Sequence, residues 1–197
     1  MDGRSRIMVA FLTLTKSLSL KNVTMDDIAR QAGISKKTLY QHFRNKNEVI
    51  DYVVERSHEL FANRCKSIIA NAGNAVEALC KIADLLDEIS FDWNRISLYQ
   101  FQKYYPLSFD KYIDGLEAVH ISMIREVVSN GKKAGLFRKD ISPAIFANYR
   151  ISQLFLFTEK ILGGNWNMTD RRTINDLTIR GLLTEKGMEE YNWLARK

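Results

Sequence analysis

Between Gly33 and Lys46 the chain reads GISKKTLYQHFRNK, and most of its chemistry is concentrated there. If Ser35 caps a helix, Leu39 and Phe43, four residues apart, share one face and point to a core. Lys36, Lys37, Thr38, Tyr40, Gln41 and His42 then fall on the remaining surface. These are hydrogen-bonding side chains with few acids among them, crowded at a helix amino terminus whose own N–H groups favour phosphate. Lys46 places a further cation at the start of the following helix. Groups of this kind can grip a phosphate backbone and read base edges. An exposed Tyr40 on a polar face suits phosphate or base contact; partial burial of its ring is the competing explanation.

Other constellations fail on inspection. His58-Glu59 opens a metalloprotease-like signature, but position 62 is Ala62 instead of the second histidine. Gly131-Lys132-Lys133 has neither the upstream glycine nor the following hydroxyl residue of a phosphate loop. His42, His58 and His120 are scattered, with no nucleophile at a recognisable partner spacing. Cys65 and Cys80 fit no metal spacing and suggest no disulfide framework; two buried thiols in a reducing compartment is the main reading, a thiol sensor the lesser one. No catalytic, metal or cofactor site is therefore expected. The longest apolar run near the start, Ile7 to Leu12, is far short of a membrane span, so a cytoplasmic protein is expected.

The elements that must position these side chains are helical. Apolar residues recur at three and four, as in Ile7, Phe11, Leu14 and Leu18, and no sustained alternation marks a strand. The expected class is all-α. Three helix starts are explicit: Thr24 with Asp27 forms a capping box, Ser35 follows the helix-ending Gly33, and Asn45 with Glu48 repeats the box. Two short helices joined by a glycine-containing turn are the parts of a helix-turn-helix, with Ile28, Ala29 and Ala32 facing Leu39 and Phe43. Charge follows the same division. Residues 1–50 carry nine Lys and Arg against four Asp and Glu, whereas residues 51–197 carry twenty against nineteen. A basic amino-terminal module on a near-neutral body is the electrostatic footprint of a polyphosphate binder.

The run TMDDIARQAGISKKTLYQHFRNKNEVI, Thr24 to Ile50, together with the preceding helix from Arg4 to Leu20, closely resembles the TetR family of bacterial transcriptional regulators. The resemblance implies a three-helix DNA-binding head, a fourth helix leading to a helical body, and a homodimer. Carried over by position, Thr24, Tyr40, His42 and Lys46 would grip the DNA backbone, and Lys36, Lys37, Thr38 and Gln41 would read bases. It implies a DNA-binding domain over residues 1–50 and a ligand-binding and dimerisation domain over 51–197.

In the body, residues 91–112 hold eight of the twenty-one aromatics, including Trp93, Tyr99, Tyr104 and Tyr105. They serve as core, or as an aromatic-walled cavity in which phenols and Gln100 or Gln102 supply directional bonds. As a candidate ligand site the set is Trp93, Tyr99, Gln100, Tyr104 and Tyr105. Ser142-Pro143 is a clean helix start. Along that helix Leu154, Phe155, Leu156 and Phe157 are consecutive and point in nearly every direction, so the side away from the body needs a cover. A second copy is the simplest, which makes Leu154, Phe155 and Phe157 candidate dimer residues with Ile174 and Leu177 of the last long helix; closing the monomer core is the alternative for that helix. Gly187 is expected to break the chain before a short amphipathic tail. The combined expectation is a ligand-responsive, dimeric regulator, usually a repressor in this family. Its partners would be double-stranded DNA, a second copy and an unidentified small apolar or aromatic effector. A DNA-binding protein with a non-transcriptional role, or a helical carrier or enzyme retaining the head, are the rival readings.

Overall fold

A computed structural model describes residues 2–92, 95–162, 168–194 and 196, with side chains left undescribed at 87, 89–98, 154, 155 and 157–168. The described residues form helices α1 (Gly3–Ser17), α2 (Met25–Ala32), α3 (Lys36–His42), α4 (Lys46–Asn71), α5 (Ala75–Asp92), α6 (Arg95–Tyr104), α7 (Pro106–Lys133), α8 (Pro143–Leu162), α9 (Met168–Leu182) and α10 (Glu185–Leu194). One antiparallel bridge, Phe137 with Leu183, is the sole strand-like pairing among them. The all-α class is as the periodicity implies. No described helix is long and apolar enough to cross a membrane.

The start signals work as chemistry demands. The Thr24 hydroxyl accepts from the Asp27 N–H at 3.1 Å while the Asp27 carboxylate accepts from the Thr24 N–H at 3.1 Å, a complete capping box. The Thr24 hydroxyl also donates to that carboxylate at 2.6 Å, and this bond first, then the one from the Thr24 N–H, holds the Asp27 carboxyl below its ordinary range. Gly33 closes α2 in the left-handed conformation, φ 62°, which costs a glycine nothing. Ser35 then accepts from the Thr38 N–H at 3.0 Å to start α3. At α4 the box is skewed. Asn45 caps the Glu48 N–H at 3.0 Å, but the Glu48 carboxylate reaches back to the N–H of Arg44.

Two compact units result, Met1–Leu60 with Trp93–Gly115, and Phe61–Asp92 with Leu116–Lys197. In the first, α1, α2 and α3 pack on one another around Ile7, Phe11, Ile28, Leu39 and Phe43. Phe101 and Tyr112 are buried in the same unit, with the Phe101 ring edge-on to Phe109 at 5.5 Å. Ser108 donates to Asp51 at 2.7 Å, and the His58 ring lies 2.9 Å from the Tyr112 carbonyl.

The second unit is built around Leu79, Ile82, Ile124, Val128, Phe137 and Leu182. Both thiols lie there, and burial pushes Cys65 up to about 11 and Cys80 up to about 12, which keeps them protonated and unreactive at neutral pH. Gly187 departs from expectation. It sits inside α10, whose cap is Thr184, and a Cβ there would lie 2.1 Å from the Leu136 carbonyl oxygen. Glycine is required at this position by close approach of backbone, not by a break. Gly131 likewise lies within α7, against the Phe137 ring, and does not interrupt the helix.

Candidate nucleic-acid interface

The face of α3 opposite Leu39 is a row of exposed polar groups. Lys36, Lys37, Tyr40 and Gln41 all face solvent, with Tyr40 51% exposed. Among the described residues no ion pair or hydrogen bond engages the Lys37 ammonium, whereas the Lys36 ammonium lies 2.5 Å from Asp26. Thr38 is half-buried, its hydroxyl 2.9 Å from that of Ser35. His42 is also half-buried; it lies close against Gly3, where a Cβ would come within 2.6 Å of its Nε2, and its carbonyl accepts from Arg4 at 3.3 Å. Thr24 is exposed at the α2 amino terminus, with its hydroxyl already engaged by Asp27.

A three-residue turn, Gly33 to Ser35, joins α2 to α3 and presents the latter's amino terminus outward, the arrangement of a helix-turn-helix reader. Residues 19–53 match the profile of the family described as bacterial regulatory proteins, tetR family. Residues 19–53 thus carry the helix-turn-helix head of that family.

Curated relatives of this chain include HTH-type transcriptional regulators of Staphylococcus aureus strains USA300 and NCTC 8325, each 28% identical over 124 residues. The match takes in 57% of this chain and 66% of each relative, just under two thirds of their length. Among solved structures, a transcriptional regulator from Cytophaga hutchinsonii superposes with a TM-score of 0.79 at 17% identity, covering 93% of this chain and all of that one. The ketosteroid transcriptional regulator KstR2 of Mycobacterium tuberculosis gives 0.59 at 18% identity, covering 93% and 96%. Both likenesses establish the fold.

Lys46 differs from the rest of the TetR-family head. It is half-buried, and its ammonium donates to the carbonyl of Leu20 at 2.6 Å and of Lys21 at 3.2 Å, 5.4 Å from the centre of the Tyr105 ring. Burial lowers its pKa. Its described partners are therefore internal, a placement that sequence spacing did not signal. The described candidate ligand residues are placed in the same unit. Gln100 accepts from the Ser19 hydroxyl at 2.8 Å and the Leu20 N–H at 2.9 Å, and the Lys21 ammonium lies 5.2 Å from the Tyr104 ring centre. Tyr99 is exposed, Tyr105 is half-buried, and Trp93 lies outside the described residues. Four of the five thus cluster on α6 and just after it, with three of them against the α1–α2 connection or the start of α4.

Of the candidate dimer residues, Leu154, Phe155 and Phe157 lie outside the described side chains. Ile174 is half-buried and Leu177 is 65% exposed. Two residues not singled out by sequence, Ile145 at 70% exposed and Tyr149, join Leu156 of the apolar run on α8 at spacings of four and seven, which puts all three on one face. Their signal was the helical period itself, hidden by the apolar residues around them.

Proposed function

We propose that this chain is a DNA-binding transcriptional regulator that acts in the cytoplasm as a homodimer on a pseudo-palindromic operator, as a repressor released by a small effector. The observation that carries the reading is the capped α3 with Lys36, Lys37, Tyr40 and Gln41 exposed at and beyond its amino terminus. In this reading Lys36, Lys37, Thr38 and Gln41 face base edges, while Thr24, Tyr40 and His42 lie along the phosphates. Two recognition helices of a two-fold dimer would enter successive major grooves about 34–36 Å apart. Selection of bound DNA from a random pool tests it: an inverted repeat should be enriched, and an unenriched pool would contradict the reading.

Lys37 and Lys46 separate reading from holding. Lys37→Ala should leave stability within about 0.5 kcal/mol while lowering operator affinity and shifting the preferred bases. Lys46→Ala should instead lower stability, by about 1.5–3 kcal/mol, because two carbonyls lose a charged donor. Thermal melts paired with gel shifts across salt concentrations distinguish the two. Equal effects on melting would refute the division.

The dimer is supported by the exposed apolar residues of α8 and α9, Ile145, Tyr149, Leu156 and Leu177, an arrangement that a soluble surface does not retain uncovered without reason. A second copy is the occupant proposed, since a two-fold interface needs only one self-complementary patch. Leu177→Asp should convert the dimer to monomer in sedimentation analysis, because an unpaired charge would enter an apolar contact. A wild-type chain that sediments as a monomer at micromolar concentration would contradict the dimer.

The effector must bind the DNA-free conformation more tightly than the DNA-bound one, and a tenfold loss of operator affinity needs only about 1.4 kcal/mol of difference. An apolar or aromatic body on the effector suits the aromatic segment around Tyr99, Tyr104 and Tyr105. Gln100, bonded to Ser19 and Leu20, links any displacement of α6 to the α1–α2 connection of the head.

A further inference from the structure

Two arginines of α1 reach the two ends of α3. The Arg4 guanidinium donates to the carbonyl of His42, the last residue of α3, at 3.3 Å. The Arg6 guanidinium donates to the carbonyl of Gly33, in the turn that precedes α3, at 3.4 Å. Residues two apart on a helix leave it in nearly opposite directions, and a seven-residue helix is about 10 Å long. One turn of α1 therefore straddles the whole of α3.

Arg4 does more than close one bond. Its guanidinium carbon lies 4.9 Å from the centre of the Phe43 ring and 5.2 Å from that of Tyr52, and the two rings are 5.4 Å apart. The planar cation thus ties the exit of α3 to α4 as well as to α1. Its charge also sits at a helix carboxyl terminus, where the last carbonyls lack intrahelical partners and a cation is favoured. Gly3 lets α1 come this close, because the space that a Cβ would take there is filled by the His42 ring.

Helix α3 needs such holding. Seven residues are too few for a helix to persist by its own hydrogen bonds, and among the described residues Leu39 is its one buried side chain. A single buried anchor fixes a helix in place but leaves it free to swing about that point. Bonds at both ends oppose the swing, which would carry Lys37 and Gln41 away from base edges.

We propose that Arg4 and Arg6 are positioning residues, which fix the angle of α3, and with it base selectivity, instead of gripping DNA phosphates. Phosphate contact is the rival role for two exposed cations beside a reading helix. The consequence for base selectivity rests on the proposed function; the hold on α3 does not.

Lysine variants of the full chain separate the two roles, since lysine keeps the charge and can still grip phosphate but lacks the planar fork. With DNA enriched from a random pool, Arg4→Lys and Arg6→Lys should each broaden the selected bases. Each should also lower the ratio of enriched to random-duplex affinity by about tenfold. In the same variants without DNA, the amides of residues 36–43 should exchange hydrogen at least about threefold faster than in the unaltered chain. Arg4→Gln, which removes the charge, should leave the salt slope of binding unchanged, whereas loss of a phosphate contact lowers it by about one. Unaltered selectivity in either lysine variant would overturn the proposal, as would unaltered exchange in α3 or a lowered slope. Peptides from α5 report the fold in the same samples, and if they too lose protection the slope for Arg4→Gln decides. Faster exchange in a chain that selects no DNA would support the hold on α3 and refute the regulator.

Discussion

Leu39→Ala should lower stability by about 2–5 kcal/mol and remove operator binding at the same time, although no polar group of the recognition face is touched. Leu39 is fully buried where α3 meets α1 and α2, and deleting most of its side chain leaves a void that a seven-residue helix cannot close by its own hydrogen bonds. The exposed row of Lys36, Lys37, Tyr40 and Gln41 is useful only while that anchor holds α3 in place. Chemical denaturation and gel shifts on the same variant measure both effects. Retained operator affinity with lowered stability would mean that the caps at Ser35 and Gly33 position α3 without the core.

Gly187→Ala should be about as damaging, by about 1–3 kcal/mol or more, for the opposite reason. The added methyl would meet the Leu136 carbonyl oxygen at 2.1 Å, and that same oxygen accepts from the Thr184 N–H at 3.0 Å and from its hydroxyl at 3.1 Å. Relieving the clash therefore parts two backbone segments that the Phe137–Leu183 bridge holds together. Gly181→Ala is the matched control. It lies on α9 with nothing within 4 Å of the added carbon, so alanine's better helix propensity should stabilise the chain by up to about 1 kcal/mol. Melting temperatures that move in the same direction would refute the contact at Leu136.

Local chemistry was legible in the sequence. The Thr24–Asp27 box, the Gly33 stop and the Ser35 cap are each decided within four residues, so spacing alone reveals them, and α3 follows with its buried and exposed sides correctly assigned at Leu39, Phe43, Lys37 and Gln41. Residues brought together from far apart were not legible. Nothing in the spacing of Gln100 says that it bonds Ser19 and Leu20, or that Lys46 turns inward to the same connection. Nothing in the sequence marks Arg150 and Arg171 as buried, because burial depends on which helix faces meet. Gly187 was misread since glycine marks both chain breaks and close approaches, and only the neighbouring Leu136 carbonyl distinguishes them here.

The bond from Gln100 to Ser19 and Leu20 also sets an order of events at the ribosome. Its partners are 81 and 80 residues apart, so the nascent head emerges long before its clasp exists. Contacts among α1, α2 and α3 are local and can close as soon as residue 43 is clear, on the fast timescale of small helical domains. At ordinary synthesis rates the stretch from Ile50 to Gln100 then takes roughly 2–10 s. During that interval the newborn chain already displays a formed α3, while Lys46 lacks Tyr105 and the α1–α2 connection lacks Gln100. Translation speed across those fifty codons thus determines how long a DNA-reading surface exists before the segment that secures it has been made.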